Sequence, residues 1–300
     1  MLFKKIYNKF LVFCQYKLII LKIKSNSRFV VDGHYASFNM TSNKFRDNKC
    51  KTGLISIRGM EKSMKLELNE IEKNVGQFMV QFQIDSQSEI LGEVRAVFEY
   101  NKVQGNRLQS VGNRRFQKFT NPSYTIGFNG IQKVRVNRNI FGDNKLDYEL
   151  LAGIKTAKID NKVNVAENWW GTADVTKIKE RIFDFDDWNN HAVAEFKPYL
   201  LENDREGSLS SPWESPSASL SEHLGGRLTK SLSLPYRERP YLVKADVTVM
   251  PDVTLSIAPG AVLEFAPNVG ILVLGVLKAQ GHRNEEIIMR PETPIKLKDR

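Results

Sequence analysis

Two glutamates, Glu67 and Glu99, are the side chains whose type and spacing could support chemistry. They hold equivalent positions in two successive copies of an internal repeat. If the copies stack about 4.8 Å apart, as neighbouring strands do, the two carboxylates become neighbours. Such a pair can serve as acid and base on a polysaccharide. The alternative, which we favour, is that Lys65 and Arg135 pair with them in a surface charge network that contributes little to the stability of the fold.

No other set of residues points to a catalytic or cofactor centre. The four histidines lie far apart in the repeat and form no metal-ligand set; they are His34, His191, His223 and His282. The sequence contains no phosphate-binding loop, nucleophile elbow or zinc-ligand spacing. We therefore expect no metal, no cofactor and no catalytic site, so that the chain is not an enzyme.

The elements that must position these glutamates belong to a repeat of the form apolar-x-apolar-x-x-Asn-x-apolar-x-x-Asn. Five copies occur, and in the fifth copy Ala173 replaces the last asparagine. The first asparagines of the copies are Asn43, Asn69, Asn101, Asn139 and Asn168, in steps of 26, 32, 38 and 29 residues. Periods of this length indicate a solenoid, and the alternation of apolar and polar residues indicates strands.

Each copy predicts a short strand, a bend at the first asparagine and a second short strand. Because asparagine accepts left-handed backbone angles better than most residues, we expect the bend at the asparagine itself. Stacked coils would place the five first asparagines in one column, whose side-chain amides hydrogen-bond as a ladder. The sequence therefore predicts an all-β fold, a right-handed parallel β-helix. An antiparallel sandwich of unrelated strands is the alternative.

Composition divides the chain into four segments. Residues 1–35 are basic and apolar. Three interpretations of them stay open, namely a signal peptide, a first strand or a gene-model artefact. Residues 36–203 hold the Asn-rich β-helix, which closes with Trp169, Trp170 and Gly171 and a short helix over residues 174–183. Residues 204–238 are rich in serine and proline, which predicts a linker. Residues 239–300 begin a second β-helix, and we expect this segment to be truncated.

The charge distribution argues against nucleic-acid binding. Residues 1–60 carry 12 lysines and arginines against two acidic residues, and the remaining 240 residues carry 32 of each sign. The net charge of +10 therefore belongs to one end of the chain and not to a whole binding face.

The closing run Asn168-Trp169-Trp170-Gly171-Thr172 and the later stretch of residues 249–275, which opens Val249-Met250-Pro251-Asp252, resemble the animal bark beetle (Anakonda) family. The order of pieces also matches: Asn-rich coils, Trp-Trp-Gly closure, polar linker and a new coil opening. Members of that family are very large single-pass membrane proteins of epithelia. Their scavenger-receptor, lectin-like and membrane-spanning segments have no counterpart in this sequence.

The resemblance implies a non-catalytic extracellular scaffold that organises tricellular and septate junctions. It implies a location at the cell surface, with other junction or adhesion proteins as partners and glycans as a further candidate. Asn39, in Asn39-Met40-Thr41, is a candidate glycosylation acceptor in a secreted chain. A carbohydrate-active β-helix, such as a polysaccharide lyase or epimerase, is the alternative, because this fold hosts both kinds of protein.

Overall fold

The structure is a computed structural model, which describes residues 4–6, 9–11, 18–19, 22–23, 29–33, 37–59, 62–84, 95–109, 121–130, 133–153, 162–211 and 223–292. The chain divides into two compact units. The first comprises Met1–Asp184 and Asn190–Ser215, and the second Phe185–Asn189 and Pro216–Arg300.

Among its described residues, the first unit consists of short strands with one short helix. Its strands are β1 (Lys4–Ile6), β2 (Lys9–Leu11), β3 (Leu18–Ile19), β4 (Lys22–Ile23), β5 (Phe29–Asp32), β6 (Ser37–Thr41), β7 (Lys44–Arg46), β8 (Gly53–Arg58), β9 (Ser63–Glu67), β10 (Glu70–Glu72), β11 (Phe78–Ile84), β12 (Ala96–Glu99), β13 (Lys102–Gln104), β14 (Tyr124–Gly130), β15 (Val134–Asn137), β16 (Ile140–Gly142), β17 (Tyr148–Leu151), β18 (Lys162–Asn164), β19 (Ile182–Phe183) and β20 (Val193–Glu195). The helix, α1, spans Val175–Lys179.

These strands form three sheets in which each strand pairs with the equivalent strand of the next coil. Sheet A has the order β1-β2-β5-β8-β11-β14-β17-β19, sheet B the order β3-β6-β9-β12-β15-β18-β20, and sheet C the order β4-β7-β10-β13-β16. Every pairing is parallel except that of β1 with β2, which is antiparallel. The parallel β-helix predicted from the repeat is therefore confirmed.

The core of the first unit is built from columns of like side chains. In sheet C, Phe45, Ile71, Val103 and Phe141 occupy one register position in four successive coils, and all are fully buried. Aromatic rings stack along the same interior, with the Phe141 and Trp170 centroids 5.1 Å apart. Each coil thus buries the apolar side of its neighbour, which no single coil could do alone.

The second unit repeats this architecture with fewer strands. They are β21 (His223–Leu228), β22 (Leu232–Leu234), β23 (Tyr241–Val249), β24 (Thr254–Ile257), β25 (Val262–Phe265), β26 (Ile271–Val273), β27 (Val276–Ala279) and β28 (Ile288–Pro291). β23 pairs in parallel with β21, β25 and β26, β25 pairs with β28, and β24 lies between β22 and β27. Leu255 and Leu263 are buried in the core of this unit.

Three expected boundaries differ from the structure. Residues 29–32, assigned to the N-terminal segment, form β5, and Phe29 and Val31 join the core of the first unit. Residues 223–234, assigned to the linker, form β21 and β22, because Leu224 and Leu234 continue the columns of the second unit. Residues 212–222 of the linker lie outside the described residues. The closing helix ends at Lys179, since Ile182 pairs with Leu150 in sheet A.

Candidate functional site

The first asparagines of the repeat stand in single file between sheets B and C. The Nδ2 group of each donates to Oδ1 of the asparagine one coil further on, at 2.9–3.1 Å, from Asn43 through Asn69, Asn101 and Asn139 to Asn168. Each Oδ1 also accepts the backbone N–H of the preceding asparagine, at 2.8–2.9 Å. All five side chains are fully buried. Their polar groups are therefore satisfied inside the solenoid, as burial requires.

The left-handed bend lies one residue earlier than expected. Positive φ angles of 55–59° occur at the residues directly before the five asparagines, which are Ser42, Leu68, Tyr100, Arg138 and Glu167. The expectation that asparagine itself adopts this conformation is wrong. The asparagine instead points its side chain into the solenoid, where its amide needs neighbours above and below. The preceding residue turns the corner and points outward.

A second amide column, which the sequence analysis missed, follows sheet C. Asn48, Asn74, Asn106 and Asn144 are linked in the same way, through side-chain hydrogen bonds of 2.8–3.0 Å. The sequence pattern could have predicted this column, because these residues are the last asparagines of the same repeat. Ala173 ends this column one coil before the first column ends.

Glu149 of β17 lies where the second column ends. Its Oε2 accepts from Asn144 Nδ2 at 3.0 Å and from Thr125 Oγ1 at 2.6 Å, and its Oε1 accepts from Arg181 Nη1 at 3.2 Å. Burial raises the pKa of Glu149 to about 7, although the three donors oppose the shift. The carboxylate and its neighbours thus replace the missing asparagine with a titratable acceptor.

The Trp-Trp-Gly closure lies beside Arg181, one of the donors to Glu149. The Trp170 side chain is fully buried and stacks on Phe141, whereas Trp169 is only partly buried and its backbone bridges to Ile140. Gly171 has φ +82°, and a Cβ there would lie 3.2 Å from Arg181 Nη1. The glycine therefore leaves space for the guanidinium that reaches Glu149.

Glu67 and Glu99 are brought side by side, since they are register partners in β9 and β12. Each contacts a cation on the outer face of sheet B. Glu67 Oε1 lies 2.6 Å from Lys65 Nζ, and Glu99 Oε1 lies 2.5 Å from Arg135 Nε. The side chains are partly exposed, so the four residues form two separate ion pairs on the surface, each of which contributes little to stability.

Glu72, on sheet C, is a more buried carboxylate that the sequence did not single out. Burial acts to raise its pKa, but the hydrogen bond and charge of Arg46 outweigh that effect, and Lys102 adds to it. The pKa of Glu72 therefore lies below its usual value. Gln104 Nε2 also donates to its Oε1 at 2.9 Å.

The remaining candidates lie apart from these carboxylates. Asn39 is half-buried on β6 and its Oδ1 accepts from Thr41 Oγ1 at 3.0 Å. His191 is buried against the Phe183 ring, with centroids 5.1 Å apart, and His34 lies outside the described residues. No cluster of three metal-ligating side chains occurs among the described residues. In the same part of the chain, no helix has the length and hydrophobicity of a membrane span.

Comparison with known proteins finds a relative that is similar over most of this chain. The chain is 42% identical over 278 residues to protein bark beetle of Drosophila melanogaster, an alignment that covers 88% of this chain. It spans 9% of the length of that relative. No family model matches the chain, and no solved structure matches it. Through this identity, and with the stacked Asn-rich coils and Trp-Trp-Gly closure described above, the chain belongs to the bark beetle family.

Proposed function

We propose that this chain is a non-catalytic extracellular scaffold that contributes to epithelial tricellular and septate junctions. The observation that carries the proposal is the 42% identity to protein bark beetle across 88% of the chain. The coils suit a scaffold because their polar amides are turned inward and their outer faces carry side chains in regular rows. Partners would be other junction or adhesion proteins at the cell surface.

The location of the protein in an epithelium tests this proposal. The protein is tagged at its own gene and imaged in a polarised epithelium beside markers for two-cell and three-cell contacts. Enrichment at three-cell vertices supports the junctional role. An even distribution along two-cell contacts, or retention inside the cell, would contradict it.

A carbohydrate-active β-helix is the second candidate, because Glu67 and Glu99 are register neighbours on an outer face. Their ion pairs with Lys65 and Arg135 favour the scaffold instead. The full chain is assayed on acidic polysaccharides for new reducing ends and for the unsaturated products of a lyase. Activity that disappears in Glu99→Gln and survives in Glu195→Gln, an exposed glutamate three strands away in sheet B, would replace the scaffold proposal.

A further inference from the structure

Most cations on the outer faces of sheets B and C have a carboxylate partner. Ion pairs with N···O distances of 2.5–2.9 Å join Lys44 to Glu70, Lys65 to Glu67, Arg135 to Glu99 and Lys162 to Glu195. These faces therefore present little unbalanced charge to a ligand.

The corner that follows the second amide column is different. Lys49, Val75, Arg107 and Lys145 occupy one register position in four successive coils, joined by parallel bridges. Backbone hydrogen bonds fix this register, because the amides of Val75, Arg107 and Lys145 donate to the asparagine carbonyls of the preceding coils at 2.7–2.9 Å. Where Val75 interrupts the row, Lys73 lies two residues earlier at the left-handed bend. Each of four coils thus contributes one cation to this basic strip of Lys49, Lys73, Arg107 and Lys145.

The described residues leave the positive charge of the strip largely unneutralised. All four side chains are exposed, and within the described residues none of them forms an ion pair. Two exposed carboxylates, Asp47 and Asp143, lie at the neighbouring bends. Four cations against two carboxylates leave a net positive row.

We propose that this basic strip binds a sulfated linear polysaccharide laid along the solenoid axis. The coils repeat about every 4.8 Å, which is comparable with the advance of an extended polysaccharide per sugar. One cation per coil then meets about one anionic group per sugar, a density that sulfation supplies. The strip includes no aromatic side chain on which bases could stack, which disfavours single-stranded nucleic acid. This inference goes beyond the scaffold role and does not depend on it.

Binding of the full chain to heparin at about 0.15 M salt tests the proposal, since screening there limits charge effects to about 8 Å. The strip variant replaces Lys49, Lys73, Arg107 and Lys145 with glutamine. The matched control removes the same number of charges from ion pairs elsewhere, through Lys44→Gln, Lys65→Gln, Arg135→Gln and Lys162→Gln. All eight side chains lie on the surface, and circular dichroism checks that both variants remain folded.

The strip variant should have a dissociation constant for heparin at least tenfold higher than that of the original chain. The control should raise this constant less than threefold. Asp47→Asn combined with Asp143→Asn should lower the dissociation constant for heparin. Hyaluronan, which carries one carboxylate for every two sugars, should bind more weakly than heparin. Equal losses in the strip variant and the control, or no binding of heparin by the original chain, would overturn the proposal. Equally tight binding of a single-stranded DNA oligonucleotide, lost in the same variant, would assign the strip to nucleic acid instead.

Discussion

Asn144 Nδ2 donates a 3.0 Å hydrogen bond to Glu149 Oε2 at the coil where Ala173 interrupts the second amide column. In the coils before it, the same Nδ2 group donates to the next asparagine of the column. A titratable side chain has thus taken the place of an amide that cannot titrate. We therefore expect the end of this column to respond to pH, and the rest of it not to.

The first prediction concerns the pH dependence of stability. Burial raises the pKa of Glu149 to about 7, from a reference of 4.5, so the folded chain binds this proton more tightly than the unfolded chain. The stabilisation is fully present below pH about 4.5 and is lost as the pH rises to about 7, by up to about 3 kcal/mol. Urea unfolding at pH 5 and pH 8 measures the change.

Glu149→Gln serves as the comparison, since a glutamine cannot titrate. The difference in unfolding free energy between the original chain and this variant should shift between the two pH values, in favour of the variant at pH 8. A difference that stays constant with pH would show that Glu149 does not titrate in this range.

The second prediction concerns the first amide column. Asn101→Ala removes an oxygen that accepts from Asn69 and a donor to both Leu66 O and Asn139 Oδ1. Because the groups left behind are buried, the free energy of unfolding should fall by about 3 kcal/mol or more. Asn164→Ala, on the exposed face of β18, should change it by less than about 0.5 kcal/mol. Similar losses in the two variants would contradict a special role for the column.

The third prediction concerns the glycine of the closure. Gly171→Ala places a Cβ 3.2 Å from Arg181 Nη1 at a residue with φ +82°, so it should destabilise the chain by about 1–3 kcal/mol. Gly142→Ala is the matched control, because its Cβ would meet nothing closer than 3.9 Å and its φ is not positive. Thermal unfolding of both variants distinguishes them, and equal melting temperatures would contradict the account.

The fourth prediction separates the two adjacent tryptophans. Trp170→Ala empties a fully buried position that stacks on Phe141, and should reduce the free energy of unfolding by about 3–5 kcal/mol. Trp169→Ala removes a partly exposed ring and should cost clearly less. Chemical denaturation of the two variants measures the contrast, and a larger loss for Trp169→Ala would reverse the assigned roles.

The repeat was sufficient to predict the architecture because its period and its alternation are both local features of the sequence. Asn43 and Asn69 are 26 residues apart, yet their equal place in the repeat identifies them as neighbours. The same logic placed Glu67 beside Glu99 in sheet B. The bark beetle resemblance was likewise confirmed by the identity over most of the chain.

Other features depend on contacts that no repeat encodes. The left-handed conformation of Leu68 and Tyr100 follows from stacking at the corner, because neither residue type favours it. Glu149 lies outside the repeat, so its place at the end of a column emerges only when Thr125, Asn144 and Arg181 converge on it. The strands β21 and β22 lie within the segment that its overall serine and proline content assigned to a linker, and they owe their pairing to neighbouring coils.

Crosslinking of adjacent coils tests the stacked architecture most directly. Lys65 and Val97 are register partners in β9 and β12, so their Cα atoms should lie about 4.8 Å apart, within the range for a disulfide. In a Cys14→Ser, Cys50→Ala background, Lys65→Cys with Val97→Cys should form a disulfide under mild oxidation. Lys65→Cys with Arg135→Cys, two coils apart, should not. Failure of the first pair, or equal crosslinking of both, would contradict the stacking of the coils.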